Sequence, residues 1–179
     1  MKLNALTFCF LFALIMPQQS VAASTLETAG DVGVTLLPLS ALGFTFYEDD
    51  ADGRWELVKG FAANLVVTEA LKQSVQRERP NKHDNKSFPS GHTSVSFQAA
   101  SFIHARYGWK TAAPAYVLAS FVGYSRIKTD WHFASDVLAG AIIGAASSYY
   151  FTEPINGLKI SPMATTDSDT VGIKISTTW

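Results

Sequence analysis

Cysteine is almost absent from this 179-residue sequence: the one copy, Cys9, lies inside the N-terminal apolar run. One thiol makes no intrachain disulfide, and with that run removed as a signal the mature chain is expected to have no thiol and no cysteine metal site. Charge is scarce too. Lys, Arg, Asp and Glu make up 16% of the residues, below the roughly 25% of ordinary soluble chains. The 14 basic and 15 acidic residues leave a net charge of −1, so no bulk attraction to nucleic acid is expected. Long unbroken apolar runs are missing beyond the N-terminus. Lys59, Asn64 and Glu69 interrupt one stretch, and Gln98 and His104 interrupt another. Spanning helices seldom carry so many polar groups, which favours a compact periplasmic bundle resting on a membrane.

What is present divides the chain into three. Met1-Lys2, the apolar run Leu3 to Met16, Pro17 and the small residues Val21-Ala22-Ala23 read as a secretory signal over residues 1–23. Residues 24–155 are expected to form one all-α domain, a bundle of about five to six helices. Its segments are Val32 to Tyr47, Trp55 to Gln76, Ser90 to Tyr107, Thr111 to Tyr124 and Trp131 to Phe151. In the second, Leu57, Phe61, Leu65 and Thr68 recur at helical steps. Residues 156–179 alternate apolar with polar around a turn at Thr165 to Asp169, the pattern of a small β-hairpin.

Three polar clusters interrupt this apolar chain, each at a helix end. Between Lys72 and Lys86 stand five cations and two anions, a local positive field. Lys72 and Arg79 are seven residues apart, two helical turns, and so can face one side. Arginine offers a planar fork to phosphate oxygens and lysine a compact point charge. Arg77, Lys82 and Lys86 read as solvated loop residues. The second cluster is Pro89-Ser90-Gly91-His92, where free N–H groups at a helix start favour an anion. Gly91 lets backbone approach closely, and Ser90 serves as a cap, as a donor to the ligand, or as both.

The third cluster is Ser125-Arg126, then His132, then Asp136. His132 and Asp136 are four apart at a helix start and so share a face. A carboxylate accepting from one imidazole nitrogen leaves the other free to attack, although many such pairs are structural. Eleven specified residues in three ordered clusters arise by chance with a frequency on the order of 10⁻⁸.

These clusters, Lys-x6-Arg-Pro, Pro-Ser-Gly-His and Ser-Arg-x5-His-x3-Asp, closely resemble the pattern of the type 2 phosphatidic acid phosphatases. That family shares its fold and site with bacterial class A acid phosphatases and vanadium haloperoxidases. The resemblance covers roughly Val58 to Phe151. It implies that Lys72, Arg79 and Arg126 bind phosphate, helped by Ser90 and the Gly91 N–H. It implies His132 as nucleophile forming a phosphohistidine, Asp136 as its orienting partner, and His92 as general acid and then base. No metal or other cofactor is expected, since the cations fill the Lewis-acid role and His83 and His104 lack partners at ligand spacing.

The expected substrate is a phosphomonoester or pyrophosphate of a lipid or isoprenoid, with soluble monoesters as the alternative. A vanadate-dependent haloperoxidase and a non-catalytic headgroup binder are the rival classes. Intact His92, His132 and Asp136 speak against the binder, which needs only the cations. Nothing in the sequence sets an oligomeric state. The expected location is the bacterial cell envelope, with the site facing the periplasm. Were the helices to span a membrane from an external Ser24, the ends near Lys72, His92 and Arg126 would all lie outside, with Arg106 and Lys110 inside.

Overall fold

The computed structural model describes residues 23–155, 157–164 and 171–178. The expected leader before residue 23, and the turn expected at Thr165 to Asp169, lie outside the described residues. Among the described residues five helices run up and down: α1 (Ala23–Tyr47), α2 (Ala51–Val75), α3 (Gly91–Tyr107), α4 (Trp109–Lys128) and α5 (Ala134–Phe151). β1 (Gly157–Ala164) and β2 (Val171–Thr178) pair antiparallel, with Gly157 opposite Thr178 and Ala164 opposite Val171.

The all-α bundle is the expected architecture, but its boundaries shift where tertiary packing outweighs local pattern. α1 begins at Ala23, nine residues before the expected start at Val32. Gly30 and Gly33 break its apolar periodicity, yet they are what bring α1 against α4: a Cβ at Gly33 would stand 2.8 Å from Val122 Cγ2. α5 begins at Ala134, not Trp131, because Asp136 caps it by accepting the Phe133 N–H at 3.0 Å. α2 ends at Val75, with Gln76 in the left-handed region at φ 45°, ahead of Pro80.

The bundle's interior is unusually polar. Asn64, Ser94, Ser96, Gln98, Ser101 and Ser148 are fully buried beside Phe102, Leu37 and Val122. On α2 the inward stripe is Gly60, Asn64 and Thr68, while Leu65, expected to face inward, is 45% exposed. Small inward residues allow close approach: a Cβ at Gly144 of α5 would collide with the Ser94 carbonyl, and one at Gly140 with that of Ser90. α5 therefore lies directly on the first turns of α3. Thr68 Oγ1 and Ser94 Oγ tie α2 to α3 at 3.1 Å.

At the bundle end away from the three clusters, Arg106 forms a buried latch. It donates to Asp50 through Nη2 at 2.6 Å and Nε at 2.7 Å, and to the Glu153 carbonyl at 2.7 Å. Glu56 Oε2 lies 3.3 Å from Nη1, and the Tyr107 hydroxyl donates to Asp50 at 2.8 Å. One guanidinium thus joins the α1–α2 connection, α2, α3 and the segment after α5. Arg106→Met would strand two buried carboxylates, and a loss of about 3–5 kcal/mol is expected. Thermal unfolding in mild detergent measures it; a change within about 0.5 kcal/mol, ordinary for surface positions, would refute the latch.

Candidate active site

The alternating helices carry all three motifs to one end. Lys72 comes from the last turn of α2, His92 from the first turn of α3, Arg126 from the end of α4 and Asp136 from the start of α5. Arg79 and His132 stand in the connecting loops.

His132 is almost wholly buried, and both ring nitrogens have defined neighbours. Nδ1 lies 2.6 Å from the Ser87 carbonyl oxygen, which only accepts, so Nδ1 carries the proton. Nε2 lies 3.2 Å from Arg79 Nη1, which only donates, so Nε2 presents its lone pair. Burial, then the charges of Arg79 and Lys72, push the imidazole pKa down to about 3, against weaker opposing effects of Ser87 and Asp136. The ring is neutral across the working pH range.

That depression has a stability consequence. The unfolded ring titrates near 6.5, so between pH 6.5 and about 3 the unfolded chain holds the extra proton. The contribution of the neutral ring is complete above pH 6.5 and is lost as the pH falls toward 3. The unfolding midpoint should therefore drop on acidification more steeply in the wild type than in His132→Asn. Parallel midpoint–pH curves would contradict the assigned burial.

His132 and Asp136 do not share a helix face as their spacing suggests. His132 precedes α5, and its Nδ1 is 4.0 Å from Asp136 Oδ2, too far for a hydrogen bond. The carboxylate, fully buried, accepts instead from Ser87 Oγ at 2.5 Å, Phe133 N at 3.0 Å and Arg77 Nη1 at 2.7 Å. Asp136 thus fixes Ser87, and the Ser87 carbonyl fixes the imidazole. Arg77, read from sequence as a solvated residue, pairs with Asp136 and lies with its guanidinium carbon 4.1 Å from the Phe133 ring centroid. Neither Arg77 nor Ser87 carries a sequence signal for this role.

Lys72 and Arg79 do not meet by helical periodicity, since α2 ends four residues before Arg79. The loop returns Arg79 instead: its N–H donates to the Asp84 carbonyl at 3.0 Å, and its side chain reaches Asp84 Oδ1 at 2.6 Å and the Trp131 carbonyl at 3.1 Å. Lys72 Nζ donates to the carbonyls of Pro89 at 2.5 Å and Lys86 at 3.1 Å. Its charge reaches both His132 and His92.

Ser90 is fully buried and takes the capping role; its Oγ accepts from Thr93 N at 3.4 Å and pairs with Thr93 Oγ1 at 2.9 Å. The structure therefore turns its hydroxyl into α3 rather than toward the cations. The N–H groups of Gly91 and His92, in the first turn, have no intrahelical acceptor and remain to meet an anion. A Cβ at Gly91 would lie 3.6 Å from Lys72 Cε, which places this turn beside the Lys72 side chain.

Arg126 is buried and held by α1. Nη1 donates to Asp31 Oδ1 at 2.9 Å, Nη2 to the Glu27 carbonyl at 2.7 Å, and Nε to Ser125 Oγ at 3.1 Å. Asp31 was legible in principle: between Ala29 and Tyr47 it is the single charged residue of an apolar run. Among the described residues, no group of three or more His, Cys, Asp or Glu side chains is placed to hold a metal ion.

A family model described as the PAP2 superfamily matches residues 54–156, the span that holds all three motifs. Lipid A 4'-phosphatase of Helicobacter pylori is 31% identical over 141 residues, covering 73% of this chain and 71% of that protein. Lipid A 1-phosphatase of Porphyromonas gingivalis is 44% identical over 89 residues, 48% of this chain, and the chain spans a fifth of that protein's length (20%). Among solved structures, Aquifex aeolicus LpxE aligns with a TM-score of 0.62 at 22% identity, over 80% of this chain and 91% of that one. A transmembrane PAP2-type phosphatidylglycerolphosphate phosphatase from Bacillus subtilis aligns at 0.58 and 24%, over 82% of this chain and 84% of that one. At these identities the structural likeness is one of fold.

Proposed function

We propose, from the premise that the chain belongs to the PAP2 superfamily, that it is a membrane-embedded phosphatase that removes the terminal phosphate of a lipid, with His132 Nε2 as nucleophile. The observation that carries this reading is the state of the His132 ring. Its proton is tied down at Nδ1 by the Ser87 carbonyl, and its lone pair stands beside a phosphate-binding arginine. A headgroup binder has no use for a neutral, tautomer-fixed imidazole among cations.

Nε2 attacks phosphorus and the P–O bond to the leaving alcohol breaks, while His92 supplies the proton that the alcohol oxygen takes up. Water then attacks the phosphohistidine and gives a proton back to His92, the P–N bond breaks, and inorganic phosphate leaves. Lys72, Arg79 and Arg126, with the first N–H groups of α3, neutralise the charge on the equatorial oxygens. Asp136 acts through Ser87 and not by direct contact with the nucleophile.

The surface favours an embedded bundle over one resting in the periplasm. Val66 (69% exposed), Val117 (72%) and Leu138 (63%) point outward from helices whose interior holds Gln98, Asn64 and Ser94. Apolar outside and polar inside suits lipid as the surrounding solvent. Exposed Phe46, Tyr47, Trp55, Trp109, Tyr149 and Tyr150 gather at the helix ends remote from the site, as an interfacial aromatic belt does. Lys59 and Glu69 lie on either side of the middle of α2, and Thr25–Tyr47 meets the length and hydropathy of a spanning helix.

Two of the curated relatives are named as lipid A phosphatases, and a terminal phosphate on a lipid is the substrate class proposed for this chain. The test is phosphate release across lipid A, phosphatidic acid, phosphatidylglycerol phosphate and undecaprenyl pyrophosphate in mixed micelles, against soluble glycerol phosphate. A higher kcat/KM on at least one lipid supports the assignment, and equal or better hydrolysis of the soluble ester contradicts it. The site-bearing end should face the periplasm. Intact spheroplasts should then hydrolyse a substrate that cannot cross the inner membrane, and activity appearing only after lysis would place the site on the other side.

A further inference from the structure

We infer that Asp31, on α1, is a positioning residue that orients and charges His92 for proton transfer to the leaving group. The inference rests on the phosphatase reading above. Asp31 Oδ1 lies 3.0 Å from His92 Nε2 and 2.9 Å from Arg126 Nη1. A carboxylate only accepts, so Nε2 holds the proton of that bond and Nδ1 is the nitrogen left for the substrate. Among the described residues, Nδ1 of His92 makes no hydrogen bond.

The arrangement parallels that of His132 with the roles reversed. There a carbonyl takes the Nδ1 proton and Nε2 is bare. In His92 a carboxylate accepts the Nε2–H hydrogen bond, and its negative charge stabilises the imidazolium that an acid must be before it gives up its proton. Burial first, then the charges of Arg126 and Lys72, oppose that imidazolium and hold the ring's pKa below its ordinary value. Asp31 is the anion that works against them. In the step itself, the Nδ1 proton goes to the departing alkoxide oxygen as the P–O bond breaks, and the neutral ring, still holding Nε2–H against Asp31, takes a proton from the attacking water.

The local fold supports this placement. Gly30 precedes Asp31, and a Cβ there would run into Ser125 Oγ and Arg126 Nη2. The glycine lets α1 come within hydrogen-bonding range of Arg126, whose Nη2 also meets the Glu27 carbonyl. All of these α1 contributions precede residue 54, where the family match begins. Asp31 is half exposed, at 50%, and asparagine in its place still offers the buried Arg126 an acceptor.

The test compares wild type, Asp31→Asn and Asp31→Glu in detergent, on an alkyl phosphate and on p-nitrophenyl phosphate, whose phenolate departs without needing a proton. Asp31→Asn keeps an acceptor for Arg126 and removes only the charge. It should lower kcat on the alkyl ester by roughly 10- to 100-fold, leave KM nearly unchanged, and change the phenolate-releasing first step on p-nitrophenyl phosphate by less than about threefold. Asp31→Glu should recover much of the loss. An equal loss on both substrates would assign Asp31 to phosphate binding through Arg126 and overturn the inference. Unchanged activity, or a gain with tighter inhibition by inorganic phosphate, would overturn it as well. A wild type inactive on every ester would instead overturn the phosphatase reading, and the inference with it.

Discussion

Replacing His132 by alanine should abolish phosphate release, lowering kcat by on the order of 10⁵-fold or more, as loss of a nucleophile does elsewhere. The expectation follows from the geometry around one ring. Burial and two cations keep the imidazole neutral, with its pKa near 3, so its lone pair is available at every working pH. The Ser87 carbonyl holds the tautomer that leaves Nε2 bare. Alanine removes the attacking atom while leaving Lys72, Arg79 and Arg126 in place, so the variant should still bind inorganic phosphate. Binding without turnover separates loss of chemistry from loss of structure. Retained turnover on p-nitrophenyl phosphate would mean that another group attacks phosphorus.

Replacing His92 by alanine should produce the second largest effect, roughly 10²- to 10⁴-fold in kcat on an alkyl phosphate. The size should depend on the leaving group. An alkoxide is a poor leaving group and needs a proton as the P–O bond breaks, whereas p-nitrophenolate does not. His132→Ala should therefore fail on both substrates, whereas His92→Ala should slow the first, alcohol-releasing step mainly on the alkyl ester. On the proposed mechanism His92 also takes the proton of the attacking water in the second half of the cycle, so on p-nitrophenyl phosphate the variant should release a burst of phenolate before slow turnover. Equal loss on both esters, without a burst, would contradict an acid–base role.

The motifs were legible because their chemistry depends on residue type and spacing, and both survive in a bare sequence. The fold class was legible for a similar reason: five apolar segments with polar breaks at their ends admit few arrangements other than a bundle. The misreadings have local physical causes. The spacing of His132 and Asp136 suggested a shared helix face, but Asp136 caps α5 and its start moves past His132. Lys72 and Arg79 suggested a common helical stripe, but Pro80 ends the helix and a loop hydrogen bond to Asp84 returns the arginine. Leu65 looked like core because inward-apolar periodicity assumes water outside. On α2 the small and polar residues turn inward, and they pack closely because Gly60 faces Gln98 and Ser148.

Arg77, Ser87 and Asp31 were missed on other grounds. Their partners lie 59, 49 and 95 residues away, and no local pattern encodes such distances. Asp31 alone left a trace, as the solitary charge between Ala29 and Tyr47.

The most direct test of the account is to trap the covalent intermediate. Enzyme is mixed with substrate carrying labelled phosphate, stopped in alkali within one turnover, and digested; the P–N bond survives base and breaks in acid. The account predicts acid-labile label on the peptide containing His132, and none in His132→Ala. Turnover at the normal rate with no protein-bound label in the first cycle, or label on another residue, would contradict it.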